Sequence, residues 1–221
     1  MRTIALIIPL LLIFMVGCDG ESPTYPSGIT DVDMKKNAPP PHAQPAGKCV
    51  NVTIEERYDL GWVVFDFTAG DLPDLWEALV DAGAFADPGV PPFEQHFLFG
   101  ICPYGTEMVG GLGAKPKTVT IAGITGEFGS IITHVHEPGH GGTNRFLLFH
   151  LFVSDEGDNH FVTVDQAVGT PSGRVNTQMD VIAGTGVFEN ASGKMINNGT
   201  FNFGEGWLQA NIHGRICGDG L

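Results

Sequence analysis

The chain has 221 residues and a formal net charge of −14, a length that suits one domain with a leader and a connecting segment. Its acidity repels polyanions, so nucleic acid is excluded as a partner and anionic headgroups are poor ones. With 31 glycines and 15 prolines, long helices are disfavoured and short strands with tight turns are expected.

Residues 1–17 form a targeting segment. After Arg2 an apolar run over residues 4–16 is too short to span a membrane comfortably, and small and acidic residues follow it at once. Met15-Val16-Gly17-Cys18 resembles a bacterial lipobox. The resemblance implies cleavage before Cys18, acylation of its sulfur, and a partner in the membrane through that lipid anchor. The expected location is the bacterial cell envelope, at the inner or outer membrane. Residues 18–47 carry Pro23, Pro26, Pro39, Pro40, Pro41 and Pro45 with no periodic apolar pattern. Such a segment reads as a disordered tether, extending by up to about 3 Å per residue.

The folded unit is expected over residues 48–221. Residues 49–54 alternate, with Val50, Val52 and Ile54 on one face, and residues 61–68 form a second strand. Leu72, Leu75, Trp76, Leu79 and Val80 recur at helical spacing, and Asp71 can cap that helix. One short helix in a β chain is expected to plug or cover a barrel end. A Pro/Gly-rich loop at residues 88–92 precedes strand character over residues 96–102. From Lys117 onward the chain reads as a meander, with strands at residues 118–124, 128–136, 145–153, 160–168, 174–182, 195–203 and 207–217. Residues 145–153, apolar on both faces apart from His150, predict a strand covered on both sides, its outer face under the helix or in the centre of a sheet. The fold class is therefore all-β: an antiparallel closed or nearly closed barrel of about eight to ten strands with one short helix, after the signal peptide and tether.

Gly184-Thr185-Gly186-Val187-Phe188-Glu189-Asn190-Ala191-Ser192-Gly193 resembles the GTGRFANASG signature of secreted bacterial β-proteins similar to the allene oxide cyclase barrel group. Val187 replaces the usual Arg of that signature and Glu189 a small residue. Residues 129–136 and Glu156-Gly157-Asp158 are also similar, so the likeness covers residues 126–217. It implies a compact antiparallel barrel of about eight strands. The catalytic residues of the cyclase are not matched by motif here, so the resemblance carries fold and not activity.

If Cys18 is acylated, Cys49, Cys102 and Cys217 remain, and one of them is left free. Cys49 opens the first strand and Cys217 ends the last; those strands are neighbours in a closed barrel, so a Cys49–Cys217 bridge would seal the seam. Cys102 with either partner is the competing pairing.

His134-Val-His136-Glu137-Pro-Gly-His140 resembles the first half of a cupin metal motif, since two imidazoles at i and i+2 of a strand share a face. It departs from that motif because Glu137 comes too early and Asn176 stands where the second motif needs His. His150 is the third candidate ligand. A hairpin centred near His140 would place His134 opposite Phe146 and spread His134 and His150 over roughly 13 Å, too far for a shared ion. No cofactor is expected; a divalent transition metal is the alternative. Asp155-Glu-Gly-Asp158-Asn159 reads as a polar β-turn, and Gly110-Gly-Leu-Gly113 lacks the helix and Lys of a phosphate loop. No catalytic motif is complete. The expected function is a non-enzymatic envelope barrel binding a small apolar ligand or an envelope partner. The alternative is an enzyme, an allene-oxide-cyclase-like isomerase or a cupin-like metalloenzyme using His134 and His136.

Overall fold

The computed structural model describes residues 47–66, 72–84, 102–104, 108–136 and 142–221. The leader with Cys18, the tether, Asp71, the loop at residues 88–92 and His140 lie outside these. In chain order the elements are β1 (Lys48–Asp66), α1 (Leu72–Asp81), β2 (Cys102–Tyr104), β3 (Met108–Ile121), β4 (Ile124–His136), β5 (Asn144–Ser154), β6 (His160–Gly169), β7 (Arg174–Gly184), a 3-10 turn (Gly186–Phe188), β8 (Ser192–Asn202) and β9 (Trp207–Gly218). Every pairing is antiparallel, in the order β1-β9-β8-β7-β6-β5-β4-β3. β1 closes the ring: its residues Lys48 to Asp59 pair with β9 and Leu60 to Asp66 with β3. The barrel has eight strands, and β2 adds a short pairing to the start of β3.

Two strands are longer than their sequence suggests. β1 runs unbroken where two strands, at residues 49–54 and 61–68, were expected. Between them Glu55, Arg57 and Asp59 are charged but take the outward positions of a continuing alternation, while Tyr58 points inward, 3 % exposed. β3 begins at Met108 rather than near residue 118, because its Gly-Gly-Leu-Gly and Lys-Pro-Lys stretches look like loop. The glycine is a packing requirement: a Cβ on Gly113 would lie 1.8 Å from the Ser130 carbonyl oxygen of β4. Pro116 sits at a register shift between Ala114 and Lys117, a bulge where a missing N–H is tolerated.

The barrel interior is filled mainly by a cluster that includes Val52, Ile54, Ile121, Phe128, Phe152, Phe161, Met179, Phe188, Met195 and Ile212, with Phe146, Leu148 and Ala167 grouped apart from it. A second cluster lies on the outside of the wall. There Leu75, Leu79 and Ala84, of α1 and the residues following it, cover Val63 and Phe65 of β1, Ile131 of β4, Phe149 and Leu151 of β5 and Val162 of β6. The expectation that the helix closes a barrel end is thus corrected. The outward residues of β1, β5 and β6 form an apolar stripe that must be buried, and the amphipathic helix answers it. The same contact explains why β5 is apolar on both faces. Thr133 Oγ1 ties the end of this cover by donating to the Ala84 carbonyl.

Cys49 and Cys217 are a directly opposed pair of β1 and β9 and are joined by a disulfide spanning 168 residues of sequence. The bridge staples the seam where the first strand meets the last.

Candidate functional site

The two ends of the barrel differ. One carries the turn at Ala122 and Gly123, the 155–159 turn, the 185–191 segment and the disulfide. This end is sealed. The 3-10 turn drives Phe188, fully buried, edge-on against Phe152 and Phe161 at centroid distances of 5.7 and 5.1 Å. Phe152 and Phe161 in turn stack at 5.3 Å. The signature-like stretch builds this plug. A Cβ on Gly184 would meet the Phe188 carbonyl oxygen at 2.5 Å, and Gly186 sits at φ +60° with Asn159 Oδ1 2.3 Å from where its Cβ would be. Asn159 Oδ1 accepts from Val187 N–H at 2.9 Å, and Thr185 Oγ1 donates to the Asp158 carbonyl. The acidic 155–159 turn is therefore the latch of the plug. This corner carries one buried aromatic, Phe188, that holds it in place.

Among the described residues the opposite end is open. It lies at the β6–β7 and β8–β9 turns, and a cavity of about 60 Å³ descends from it into the interior. Leu60, Phe146, Leu148, Val175, Phe201 and Leu208 form its apolar walls. Phe201 and Phe203 are in ring contact at 4.6 Å, and Phe203 reaches Phe146 at 6.3 Å, so aromatics make the rim. Ser130, Thr177 and Asn197 also line the cavity, but Ser130 Oγ accepts from Ala114 N–H and Asn197 Oδ1 from Asn211 N–H, which spends those atoms on the wall.

At the inner part of the cavity stands His150, midway along β5 and 5 % exposed. Its ring lies nearly parallel to Phe128, at 5.0 Å and 15°, which fixes its plane. Nδ1 and Asp165 Oδ2 are 2.6 Å apart. Thr163, opposite His150 in register, accepts the His150 backbone N–H at 3.1 Å. Nδ1 being engaged, Nε2 is the ring atom left to address the cavity. Asp165 is buried, and its Oδ1 has no hydrogen-bond partner. Desolvation pushes its carboxyl above the ordinary carboxylate range; His150 and the Thr163 hydroxyl pull it down, and the charge of Asp180 adds to the rise. Tyr58, on the inner face of β1, is likewise buried, and desolvation together with Glu56 raises its phenol well above the usual value.

His134 and His136 are elsewhere. A bulge at Thr133 shifts the β4–β5 register, so His134 faces Leu147 and Val135 faces Phe146. This corrects the expected pairing of His134 with Phe146. Leu147 alternates with the inward Leu148, which puts the two histidines on the outer face, with ring centroids 4.6 Å apart, while His150 points into the barrel. Partial burial and the neighbouring His136 lower the His134 imidazole. The three histidines do not converge, and among the described residues no group of three or more His, Cys, Asp or Glu side chains is placed to hold a metal ion.

Asp165 was not read from the sequence as a site residue. The available signal was cross-strand: in the β5–β6 hairpin, alternation puts Thr163 and Asp165 on the face that His150 occupies. No family model, curated protein or solved structure matches the chain.

Proposed function

We propose that this chain is a lipid-anchored bacterial envelope protein whose barrel takes up a small, mostly apolar molecule through its open end, as a binding module rather than an enzyme. The observation that carries the binding reading is the asymmetry of the barrel. One end is filled by Phe188 and its aromatic partners, and the other leads through apolar walls to a single buried imidazole. A concave apolar site with few polar groups is what a small ligand requires, and an eight-stranded barrel is wide enough for one. The lipobox-like segment and Pro-rich tether support the envelope location.

Isothermal titration of the folded domain with toluene tests the binding reading. One saturable site is expected, lost in Ala167→Leu, which fills the cavity from β6. Absence of saturable binding to the wild type refutes it. A second reading, an isomerase acting on the molecule held there, is favoured by one feature, the His150–Asp165 pair at 2.6 Å. Conversion of a bound ligand, followed by mass spectrometry, separates the two.

A further inference from the structure

The polar floor of the cavity limits the chemistry of what enters. Asp165 is fully enclosed and its Oδ1 is an orphan; His150 is nearly so, with an aromatic ring against its face. A pair made of neutral imidazole and ionised carboxylate would place an uncompensated negative charge here, with an unsatisfied carboxylate oxygen. Burial of that kind is among the costliest arrangements a fold can hold. The pair therefore carries one proton more. It sits between Nδ1 and Oδ2, as neutral acid with neutral imidazole or as carboxylate with imidazolium. In both forms Nε2 bears a hydrogen, because Nδ1 is occupied by the shared bond and the second ring nitrogen must then be the N–H. The floor is a hydrogen-bond donor inside a site of zero net charge.

The approach to that donor is apolar. Leu60 and Ala114 line the cavity as an opposed pair of β1 and β3. Two residues further out Trp62 opposes Leu112, and Val64 follows on the same face by alternation. All three are exposed, at 47 %, 37 % and 39 %, and Phe203 on the rim is exposed at 54 %. The inner face of the wall thus continues beyond the mouth as an apolar ledge.

Resting on the reading of this cavity as a ligand site, we propose that its ligand is an uncharged amphiphile with a hydrogen-bond acceptor, of the ketone or ester class. It inserts acceptor first onto His150 Nε2–H and lays its alkyl tail over Leu60, Trp62 and Leu112. Carboxylates are disfavoured because they bring a net charge into a site without a counter-charge, and alkylammonium ions because they offer only donors to a donor.

A matched series titrated into the wild-type domain, with methyl resonances of Leu148, Val175 and Leu208 as reporters, tests this: methyl hexanoate, hexanoate, hexylammonium and heptane. Methyl hexanoate is expected to bind roughly five- to tenfold more tightly than heptane, the worth of one net hydrogen bond, with both ions weaker still. His150→Phe, which keeps the stack on Phe128, is expected to equalise ester and alkane. Equal binding of ester and alkane by the wild type, or tighter binding of hexanoate, overturns the assignment while leaving the cavity a ligand site. No shift with any of the four overturns the cavity reading, and this one with it. A measurement free of any variant or ligand is nitrogen-resolved NMR of the His150 ring: Nε2 protonated is expected, and Nε2 unprotonated with the proton on Nδ1 contradicts the proposal.

Discussion

Truncating Phe188 to Ala separates the plug of the barrel from its mouth. The ring is fully buried and makes edge contacts with Phe152 and Phe161, whose own stack leans on Phe128. Four aromatic rings thus share one packing unit. Core Phe→Ala changes cost about 3–5 kcal/mol, and the 3-10 turn that presents Phe188 is also held by Asn159, by Thr185 and by the Gly220 N–H, which donates to the Val187 carbonyl. The expected loss is near the upper part of that range, which for a domain of this size lowers the melting temperature by roughly 10 °C. Urea denaturation followed by tryptophan fluorescence gives the number, with Phe188→Leu expected to lose about half as much. Ligand affinity at the mouth should be unchanged, since the Phe128–His150 stack lies between the two regions. A loss below about 1 kcal/mol, or a loss of binding with the fold intact, would refute the division of the barrel into plug and pocket.

Removing the seam disulfide with Cys49→Ser and Cys217→Ser frees a loop of 168 residues; chain entropy sets a ceiling near 5 kcal/mol, and a loss of about 2–4 kcal/mol is expected by equilibrium unfolding. Unchanged stability would show that the β1–β9 ladder alone holds the closure. Asp165 has its carboxyl raised by burial above the ordinary 3.8, so the folded state holds a proton that the unfolded chain releases. Its contribution to stability is complete below that ordinary value and is lost as pH rises through the raised one. Asp165→Asn should therefore flatten the fall in stability as pH rises above that ordinary value, and a slope identical to wild type would falsify the assignment. For the location, mass spectrometry of membrane-extracted protein should find an acylated N-terminus at Cys18, and Cys18→Ala should release the domain; a soluble wild-type product beginning elsewhere contradicts the anchor.

Much of the fold was legible because alternation, turn residues and the spacing of strands from residue 118 onward point to one architecture. The first and last strands carry Cys49 and Cys217, and closing the sheet brings these together, so the bridge followed from topology. What misled was local composition overridden by tertiary context. The charged outer positions of β1 look like a break, and the glycines of β3 look like a loop although Gly113 is demanded by contact with β4. The helix was legible as a helix, and the apolar outer face of residues 145–153 pointed to its place; the expectation that it closes a barrel end failed because the stripe it covers is assembled from β1, β4, β5 and β6. At the site, His150 was visible as the polar residue of an apolar strand. Its partner Asp165 was not, since one carboxylate in an alternating strand looks like a solvent-facing position until its register with β5 is known. The more conspicuous pair, His134 and His136, proves to face outward because a single extra residue at Thr133 turns the end of β4 over.

The central claim, one sealed end and one open pocket, is most directly tested by methyl NMR of the domain equilibrated with xenon, which enters apolar cavities without needing a polar partner. Shifts are predicted at Leu60, Leu148, Val175 and Leu208, which line the cavity, and none at Ile121 or Ile216 around the Phe188 plug. Shifts at the plug, or none at the mouth, would contradict the account.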